Sequence, residues 1–447
     1  MVFSRFFKSA GNPEPNDDAN EPASEPADEP ADDAGESPEF DDVESPEALP
    51  DQTWLERAMA VLPTGSSAGS KRMEALWGAA DAHAPSHYVS AVGCQVTTID
   101  NETLIDCTMA LGSVTLGYAD ERITSAVVAA MTGGNVAGLP HALEVDVAER
   151  FCEAVPCSEK VQFLKTGAEA VAAAVRLART YTGRDHVIGC GYFGWHDWSV
   201  TESGVPAATR ALYTAIPFGD VAALEHAVSA AGSNLAAIVI EPVVETLAPT
   251  EWVSRARELA TQAGAALIFD EVKTGFRLAP GGYQEQSGIT PDLSAFGKAL
   301  ANGFPLAAVC GSAALMDAAR GTWISSTLAG EATALAAARV VLQLHAEHDV
   351  CADLARIGTE MRSAVSNAVR ASRVPGISIE GIDPMWFLTF DSPALETRFL
   401  TASAANGILF KRGPYNFPSL AHDAGTIHEI ESRTSNALVA IRDENEG

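Results

Sequence analysis

Residues 236–270 read AAIVIEPVVETLAPTEWVSRARELATQAGAALIFD, and this stretch decides the fold class. Its two ends, 236–240 and 266–269, are short apolar runs of the kind found in strands buried on both faces. Between them, residues 252–263 place apolar side chains at helical spacing. A strand, a helix and a second strand in this order predict two parallel strands joined by a crossover helix.

The same alternation extends outward in both directions from this unit. Apolar runs of strand length alternate with helical periods at residues 161–164, 169–181, 186–190, 221–231, 293–296 and 306–310. This order predicts an α/β core, a large domain whose mostly parallel sheet is flanked by helices on both faces. An Ala-rich helix at 333–345, then short strands and a helix at 427–441, predict a second, smaller α+β domain.

Acidic residues are concentrated at the N-terminus of the chain. The 447 residues carry a formal net charge of -30, and residues 1–50 contribute -13 of it together with eight prolines. Such a segment cannot bury enough apolar surface to fold, so we expect 1–50 to be a disordered acidic tail. The negative charge argues against nucleic acid and anionic membranes as partners.

The N-terminal residues and the cysteines indicate a cytoplasmic protein. The N-terminus lacks the apolar stretch of a signal peptide, and no apolar run approaches the roughly 18 residues of a spanning helix. The seven cysteines are odd in number and scattered, which suits a reducing compartment better than a disulfide framework. No metal site is expected from the spacing of potential ligands.

Ligands of parallel α/β sheets collect where the carboxyl ends of the strands open into loops. The turn 165–170, KTGAEA, opens directly into a helix, whose free N–H groups suit a phosphate. The loop 191–196, GYFGWH, adds an aromatic face, while Asp270 and Lys298 follow two further strands. A phosphate cradle, an aromatic plate, a carboxylate and an amine are the parts that a pyridoxal phosphate site requires.

Several ordered motifs carry a family resemblance. The segments 269–277, FDEVKTGFR, and 297–306, GKALANGFPL, resemble the signature of class III pyridoxal-phosphate aminotransferases. The most similar branch contains the glutamate-1-semialdehyde aminomutases and their aminotransferase relatives. Further matching motifs occur at 166–170 (TGAEA), 192–197 (YFGWHD), 240–242 (IEP), 291–293 (PDL) and 326–331 (STLAGE). The resemblance begins near Gly65, extends to the C-terminus, and implies fold type I of the pyridoxal-phosphate-dependent transferases.

The resemblance assigns roles around the ring of the cofactor. Lys298 corresponds to the lysine that bonds covalently to pyridoxal phosphate and carries protons to and from the substrate. Asp270 corresponds to the carboxylate that pairs with the pyridine nitrogen. Val272 and Tyr192 correspond to the plates on the two ring faces. Glu241 corresponds to an acid near the rim, for which a purely structural role is an equal alternative.

The resemblance also assigns the phosphate contacts. Gly167 and Ala168 would hold the phosphate through backbone N–H groups. Most family members carry a hydroxyl where Ala168 stands, so this contact is either lost or replaced by Thr166. Thr327 would contribute from the neighbouring subunit, since the family's site lies at a dimer interface. We therefore expect a homodimer with shared active sites.

Departures from the family pattern favour an intermolecular aminotransferase. The turn 63–72, PTGSSAGSKR, does not reproduce the spacing of the aminomutase's substrate-binding Ser and Arg. Thr246 stands roughly where aminomutases have Asn, and Glu331 replaces the usual Asn after the Thr327 loop. The expected reaction exchanges an amino group between an amino donor and a keto or aldehyde acceptor by a ping-pong mechanism. Intramolecular amino transfer and a catalytically idle family member remain alternatives, and no motif selects the substrate.

These patterns divide the chain into four parts. After the tail at 1–50, residues 51–110 are expected to contribute to the small domain. Residues 111–331 would form the large cofactor-binding domain, and 332–447 the C-terminal part of the small domain.

Overall fold

A computed structural model describes residues 53–79 and 84–446, with side chains as far as residue 443. The acidic tail predicted at 1–50 lies outside these residues. The described strands, numbered in chain order, are β1 (Tyr88–Val92), β2 (Gln95–Thr98), β3 (Thr103–Asp106), β4 (Lys160–Leu164), β5 (His186–Cys190), β6 (Tyr213–Ala215), β7 (Leu235–Ile240), β8 (Val243–Val244), β9 (Thr246–Leu247), β10 (Ala266–Asp270), β11 (Leu293–Phe296), β12 (Ala307–Gly311), β13 (Ile377–Ile382), β14 (Met385–Phe390) and β15 (Ile408–Leu409).

The described α-helices are numbered in the same way. They are α1 (Trp54–Val61), α2 (Met73–Trp77), α3 (Met109–Gly112), α4 (Glu121–Thr132), α5 (Ala142–Ala154), α6 (Gly167–Thr182), α7 (Ala207–Arg210), α8 (Val221–Ala231), α9 (Thr250–Ala263), α10 (Tyr283–Ser287), α11 (Ala313–Met316), α12 (Ala332–Glu347), α13 (Val350–Ser372), α14 (Pro393–Ala405) and α15 (Ala424–Glu446). Every strand and helix predicted from the sequence patterns is present, with ends shifted by a few residues.

A seven-stranded sheet with the order β4-β12-β11-β10-β7-β5-β6 forms the centre of the fold. All neighbouring strands are parallel except β12, which is antiparallel to both β11 and β4. The mostly parallel sheet is therefore confirmed. Only a short connection separates β11 from β12, too short for the crossover of a dozen or more residues that a parallel pairing needs, so the chain turns back.

Helices cover both faces of this sheet. Ala237 and Val239 of β7 pack in one apolar cluster with helix α6, whereas Ile238 of the same strand packs in another cluster with Trp252 of α9. All six residues of β7 are buried. A strand buried on both faces has no polar side to alternate, which explains its continuous apolar run.

Local signals place the start of helix α6 directly after strand β4. The Thr166 side chain accepts a hydrogen bond from the Glu169 N–H. The Glu169 carboxylate in turn accepts a hydrogen bond from the Thr166 N–H, so the two residues form a capping box. The helix ends at Gly183, whose left-handed conformation costs glycine little. The capping box of Thr166 and Glu169 fixes the N-terminus of α6 at the carboxyl edge of the sheet.

A second sheet joins segments from both ends of the described chain. It has the order β1-β2-β3-β15, and β15 pairs in parallel with β3 through Ile408 and Leu409. Helices α13, α14 and α15 pack beside it, whereas α12 packs against α4 and α5 of the large sheet. The chain therefore returns near its end to residues that precede the large sheet.

Arg277 connects several loops from a fully buried position. Its guanidinium donates hydrogen bonds to the carbonyl oxygens of Gly112 (3.0 Å), Pro384 (3.2 Å) and Pro418 (3.2 Å). It also lies 4.8 Å from the centroid of the Phe417 ring. Burial lowers the pKa of Arg277 to about 10, so the group stays charged at neutral pH. One side chain thus satisfies three backbone acceptors that are distant in sequence.

Replacing Arg277 by Met is expected to destabilise the fold. Arg277→Met leaves these carbonyl oxygens without a donor, and the free energy of unfolding should fall by about 3 kcal/mol. Urea titration followed by tryptophan fluorescence measures this change. The control is Arg320→Met, since the Arg320 side chain is 83% exposed. Equal transition midpoints for the two variants would contradict the importance of the buried contacts.

Candidate active site

The predicted site residues lie at one edge of the large sheet. Strands β4, β5, β7, β10 and β11 point in the same direction, so their carboxyl ends open on the same side. The candidate residues at or just after these ends are Thr166, Gly167, Ala168, Tyr192, Glu241, Asp270, Val272 and Lys298. The fold therefore brings together eight of the nine candidate residues, as expected for a crevice at strand ends.

The first turn of helix α6 forms a cradle of backbone N–H groups. Within the described structure, the N–H groups of Gly167 and Ala168 have no hydrogen-bond partner. The Thr166 hydroxyl is engaged with Glu169 in the capping box. Free N–H groups and the positive end of a helix dipole together bind phosphate groups. Thr166 serves this turn by holding it in shape.

Close contacts make the cradle part of a larger surface. A methyl group on Gly167 would lie 2.7 Å from Cγ1 of Val272, so only glycine allows the two segments to approach. A methyl group on Gly194 would lie 2.3 Å from Cβ of Ala168. The helix start therefore touches both the Val272 segment and the loop that carries Tyr192. The Tyr192 side chain itself is 73% exposed.

Asp270 ends strand β10 as a buried carboxylate, only 5% exposed. Its Oδ1 accepts a hydrogen bond from the Val272 N–H (3.0 Å), and among the described residues nothing donates to Oδ2. Burial, with the charge of Glu241, raises the pKa of Asp270 to about 7, although Lys298 and Lys273 act in the opposite direction. A cationic donor reaching Oδ2 would stabilise the carboxylate form.

Lys298 follows strand β11 and begins a 3-10 turn, Lys298–Ala301. Its backbone φ is 45°, in the left-handed region that is costly for residues other than glycine. Such conformations concentrate at functional sites, where the surrounding structure enforces them. Burial, and then the charge of Lys273, lower the pKa of Lys298 to about 8. Roughly a tenth of this amine is therefore uncharged at pH 7, against well under 0.1% for a lysine of ordinary pKa.

Glu241 is held by two protein groups. Its Oε1 lies 2.6 Å from Nζ of Lys273, and its Oε2 accepts a hydrogen bond from the Tyr192 N–H (2.9 Å). Lys273 was not predicted as a site residue, although it stands within the FDEVKTGFR motif. A charged residue amid positions expected to be buried was the available signal. The Tyr415 ring lies 4.3 Å from Lys273 Nζ, and nothing in the sequence around Tyr415 indicated this contact.

Thr327 is the one candidate that does not lie at or just after the carboxyl end of a strand in the large sheet. It is exposed, on a loop that lines a groove together with residues 133–142. The same loop leads to Glu331, whose carboxylate caps helix α12 and forms an ion pair with Lys165 (2.8 Å). Both side chains of this pair are largely buried. Glu331, which stands where the family usually has Asn, is therefore neutralised by Lys165 beside the phosphate cradle.

These groups fit pyridoxal phosphate in chemistry. Free N–H groups of a helix start suit a phosphate, the open oxygen of Asp270 suits a protonated ring nitrogen, and Lys298 is an amine of lowered pKa. Val272 offers an apolar surface between them. The fold and the site thus define a pyridoxal-phosphate-dependent enzyme of fold type I.

Comparisons with known proteins define the family. The model of the class-III aminotransferases matches residues 78–417. A glutamate-1-semialdehyde 2,1-aminomutase of Methanothermobacter thermautotrophicus is 34% identical over 69% of this chain and 76% of its own length. The 2'-deamino-2'-hydroxyneamine transaminase of Streptomyces kanamyceticus is 32% identical over 80% of this chain and 92% of its own length.

A solved structure agrees with this assignment. The FumI protein of Sphingopyxis sp. MTA144, in its PLP internal aldimine form, matches with a TM-score of 0.83 and 27% identity, covering 88% of this chain and 97% of that protein. The chain belongs to the class III aminotransferase family. It is a pyridoxal-phosphate-dependent enzyme, as the sequence motifs predicted.

In the part of the chain that the structure describes, no helix is long and apolar enough to cross a membrane.

The lowered pKa of Lys298 can be measured directly in protein freed of cofactor. Because only the uncharged amine reacts, acetylation of Lys298 by acetic anhydride should reach half its maximal rate near pH 8. Peptide mass spectrometry gives the rate at each pH. A lysine-containing peptide in the same mixture serves as the control and titrates at about 10.4. Coinciding curves would contradict the lowered pKa.

Proposed function

We propose that this enzyme moves an amino group from an amino donor to a separate carbonyl acceptor, either a keto acid or an aldehyde. The observation that supports the proposal is the grouping of the Lys298 amine and the Asp270 carboxylate beside the free N–H groups at Gly167. When bound, pyridoxal phosphate supplies an electron-accepting ring that withdraws charge from the substrate's alpha carbon. The carbonyl product leaves before the acceptor binds, so ping-pong kinetics are expected.

Lys298 is the proposed catalytic amine. Its nitrogen would hold the cofactor covalently and would be freed when an amino donor binds. The released amine then lies beside the substrate and takes the proton from the alpha carbon. A pKa of about 8 supports this role, because a base near the working pH is neither permanently charged nor too weak to accept a proton.

Asp270, Val272 and Tyr192 are proposed to orient the ring. The free Oδ2 of Asp270 would accept a hydrogen bond from the protonated pyridine nitrogen, and that cation would lower the carboxyl's raised pKa. Val272, packed against Gly167, would cover one ring face. The exposed ring of Tyr192 would cover the other, on a loop that Glu241 holds through its backbone.

The phosphate group is proposed to bind at the start of helix α6. The N–H groups of Gly167 and Ala168 would donate to its oxygens, and Thr166 would maintain the turn through its capping box. Backbone donors suit this chain, because most of its surface charge is negative and repels a phosphate dianion. The helix dipole offsets part of that repulsion locally.

Substituting Lys298 tests the central assignment. Lys298→Ala should abolish turnover, since no other amine is assigned to the proton transfer, and should remove the visible absorbance of the covalently bound cofactor. Stopped-flow spectroscopy with an amino donor measures both. The control Lys160→Ala changes an exposed lysine at the other end of strand β4. Substantial transaminase activity in Lys298→Ala would remove the assignment.

We further propose a homodimer in which Thr327 serves the partner's site. Large apolar side chains are exposed on the loops that flank it, including Leu139 and the 78% exposed Trp323. Thr327, Val136 and Leu139 line one groove. Exposed apolar patches of this kind mark contact surfaces.

Mixed dimers test this arrangement. Thr327→Asp should repel the phosphate, and Lys298→Ala lacks the catalytic amine, so each variant alone should be inactive. If Thr327 serves the partner's site, a hybrid of the two variants contains one intact site and should recover up to half of the wild-type activity per dimer. Subunit exchange followed by activity assay and light scattering measures this. An inactive hybrid of normal mass would contradict the shared site.

Intramolecular amino transfer is the second candidate function. The identity to an aminomutase favours it, while the departures at 63–72 and Thr246 favour separate donor and acceptor; Thr246 is exposed on strand β9. Supplying one aminoaldehyde without a keto acid separates the two, because only an aminomutase converts it to a rearranged product. A third possibility, an idle protein, predicts a colourless chain that borohydride does not modify.

The remaining proposals concern organisation and location. We propose that 51–110 and 332–447 build the smaller lobe around the large domain 111–331, supported by the pairing of β15 with β3. Helix α12, which packs on the large sheet, would act as the joint. We propose a cytoplasmic location, supported by seven cysteines that are all free thiols.

A further inference from the structure

We propose that Lys273 is a positioning residue of this active site: its ion pair holds Glu241 against the Tyr192 loop, and it supplies one of the charges that act on the Lys298 amine. The inference rests on the proposed role of Lys298 as the reactive amine. It concerns a residue that makes no proposed contact with the cofactor. Lys273 acts through the neighbours on which the cofactor site depends.

The ammonium group of Lys273 is enclosed by protein groups. Its Nζ lies 2.6 Å from Oε1 of Glu241, donates to the Val243 carbonyl oxygen (2.9 Å), and stands 4.3 Å from the centroid of the Tyr415 ring. The Tyr415 hydroxyl in turn accepts the Glu245 N–H (2.7 Å). The Lys273 and Glu241 side chains are only 10% and 11% exposed. A charge so placed is held in one position rather than solvated.

Glu241 connects Lys273 to the loop that carries Tyr192. Its Oε2 accepts the Tyr192 N–H (2.9 Å), so one carboxylate joins Lys273 to the loop. A methyl group on Gly191 would lie 2.3 Å from Cβ of Glu241, which shows how closely the loop fits this side chain. Without Lys273 the carboxylate would lose its ionic partner and its fixed rotamer. The loop would then lose its anchor.

The charge of Lys273 also acts on Lys298. Four charged groups face the Lys298 amine: the cations Lys273 and Arg277, and the anions Asp270 and Glu241. After burial, Lys273 is the largest influence that lowers the pKa of Lys298. Removing this cation leaves two carboxylates opposed by Arg277 alone, which favours an ammonium on Lys298. An ammonium can neither attack a carbonyl carbon nor accept a proton.

Acetylation of Lys298 in protein freed of cofactor tests the electrostatic role. In Lys273→Met the midpoint of the acetylation curve should rise by at least about one pH unit, so that labelling at pH 8 slows about fivefold. Lys273→Arg keeps the charge and should restore most of the wild-type midpoint. Glu241→Gln removes an anion and should shift the midpoint downward. Lys160→Met, at an exposed ion pair, should leave it unchanged.

Hydrogen exchange of the peptide containing Tyr192 tests the positioning role. Lys273→Met should accelerate exchange of the Tyr192 amide, whereas Lys273→Arg and Lys160→Met should not. A wild-type midpoint in Lys273→Met, or an equal shift in Lys273→Met and Lys273→Arg, would overturn the inference. Failure of the proposed function would look different: either the wild-type protein would transfer no amino group between separate molecules, or Lys298→Ala would remain active.

Discussion

Four charged side chains share the cleft at the carboxyl edge of the large sheet, where little water can solvate them. Asp270 and Glu241 are nearly buried, and Lys273 and Lys298 face them from neighbouring loops. The protonation states of Asp270 and Lys298 therefore depend on all four charges, since burial alone would favour the neutral form of both. A carboxyl with a pKa of about 7 and an amine with a pKa of about 8 result from this balance. The strand ends must hold all four side chains at fixed distances from one another.

The apolar sheet fixes the positions of these strand ends. Strands β7, β10 and β11 lie side by side and are buried on both faces, so their ends cannot slide without exposing apolar side chains. Glycine then allows the loops to close on one another, as at Gly167 against Val272. The buried Arg277 satisfies carbonyl oxygens from three further segments. Charge and shape at the site are thus set by packing that lies beneath it.

One difference from the family pattern is compensated by a neighbouring residue. Glu331 stands where Asn is usual, and it meets Lys165 in a largely buried ion pair at the start of helix α12. An unpaired carboxylate at this depth would be costly, so the lysine accompanies it. The pair contributes no net charge beside the phosphate cradle. Backbone N–H groups remain the proposed phosphate ligands in a chain whose net charge is -30.

Local sequence determined the strands, the helices and most of the candidate site. Apolar runs and helical periods predicted the sheet and its covering helices, and parallel order predicted that Asp270, Lys298 and the turn at Gly167 would open on one edge. These features depend on neighbours along the chain, which a sequence displays directly. Strands β1–β3 and helices α4, α5 and α13 were not predicted individually, and strand β6 was missed because its three residues are too few to form a pattern.

Tertiary structure alone decided which distant groups meet. Lys273 lies between Glu241 and Tyr415, residues separated from it by 32 and 142 positions, and only the folded chain reveals that contact. The same holds for Glu331 with Lys165. The protonation states at the site also follow from the fold, because burial and the distance between charges set a pKa, and neither can be read from the order of residues.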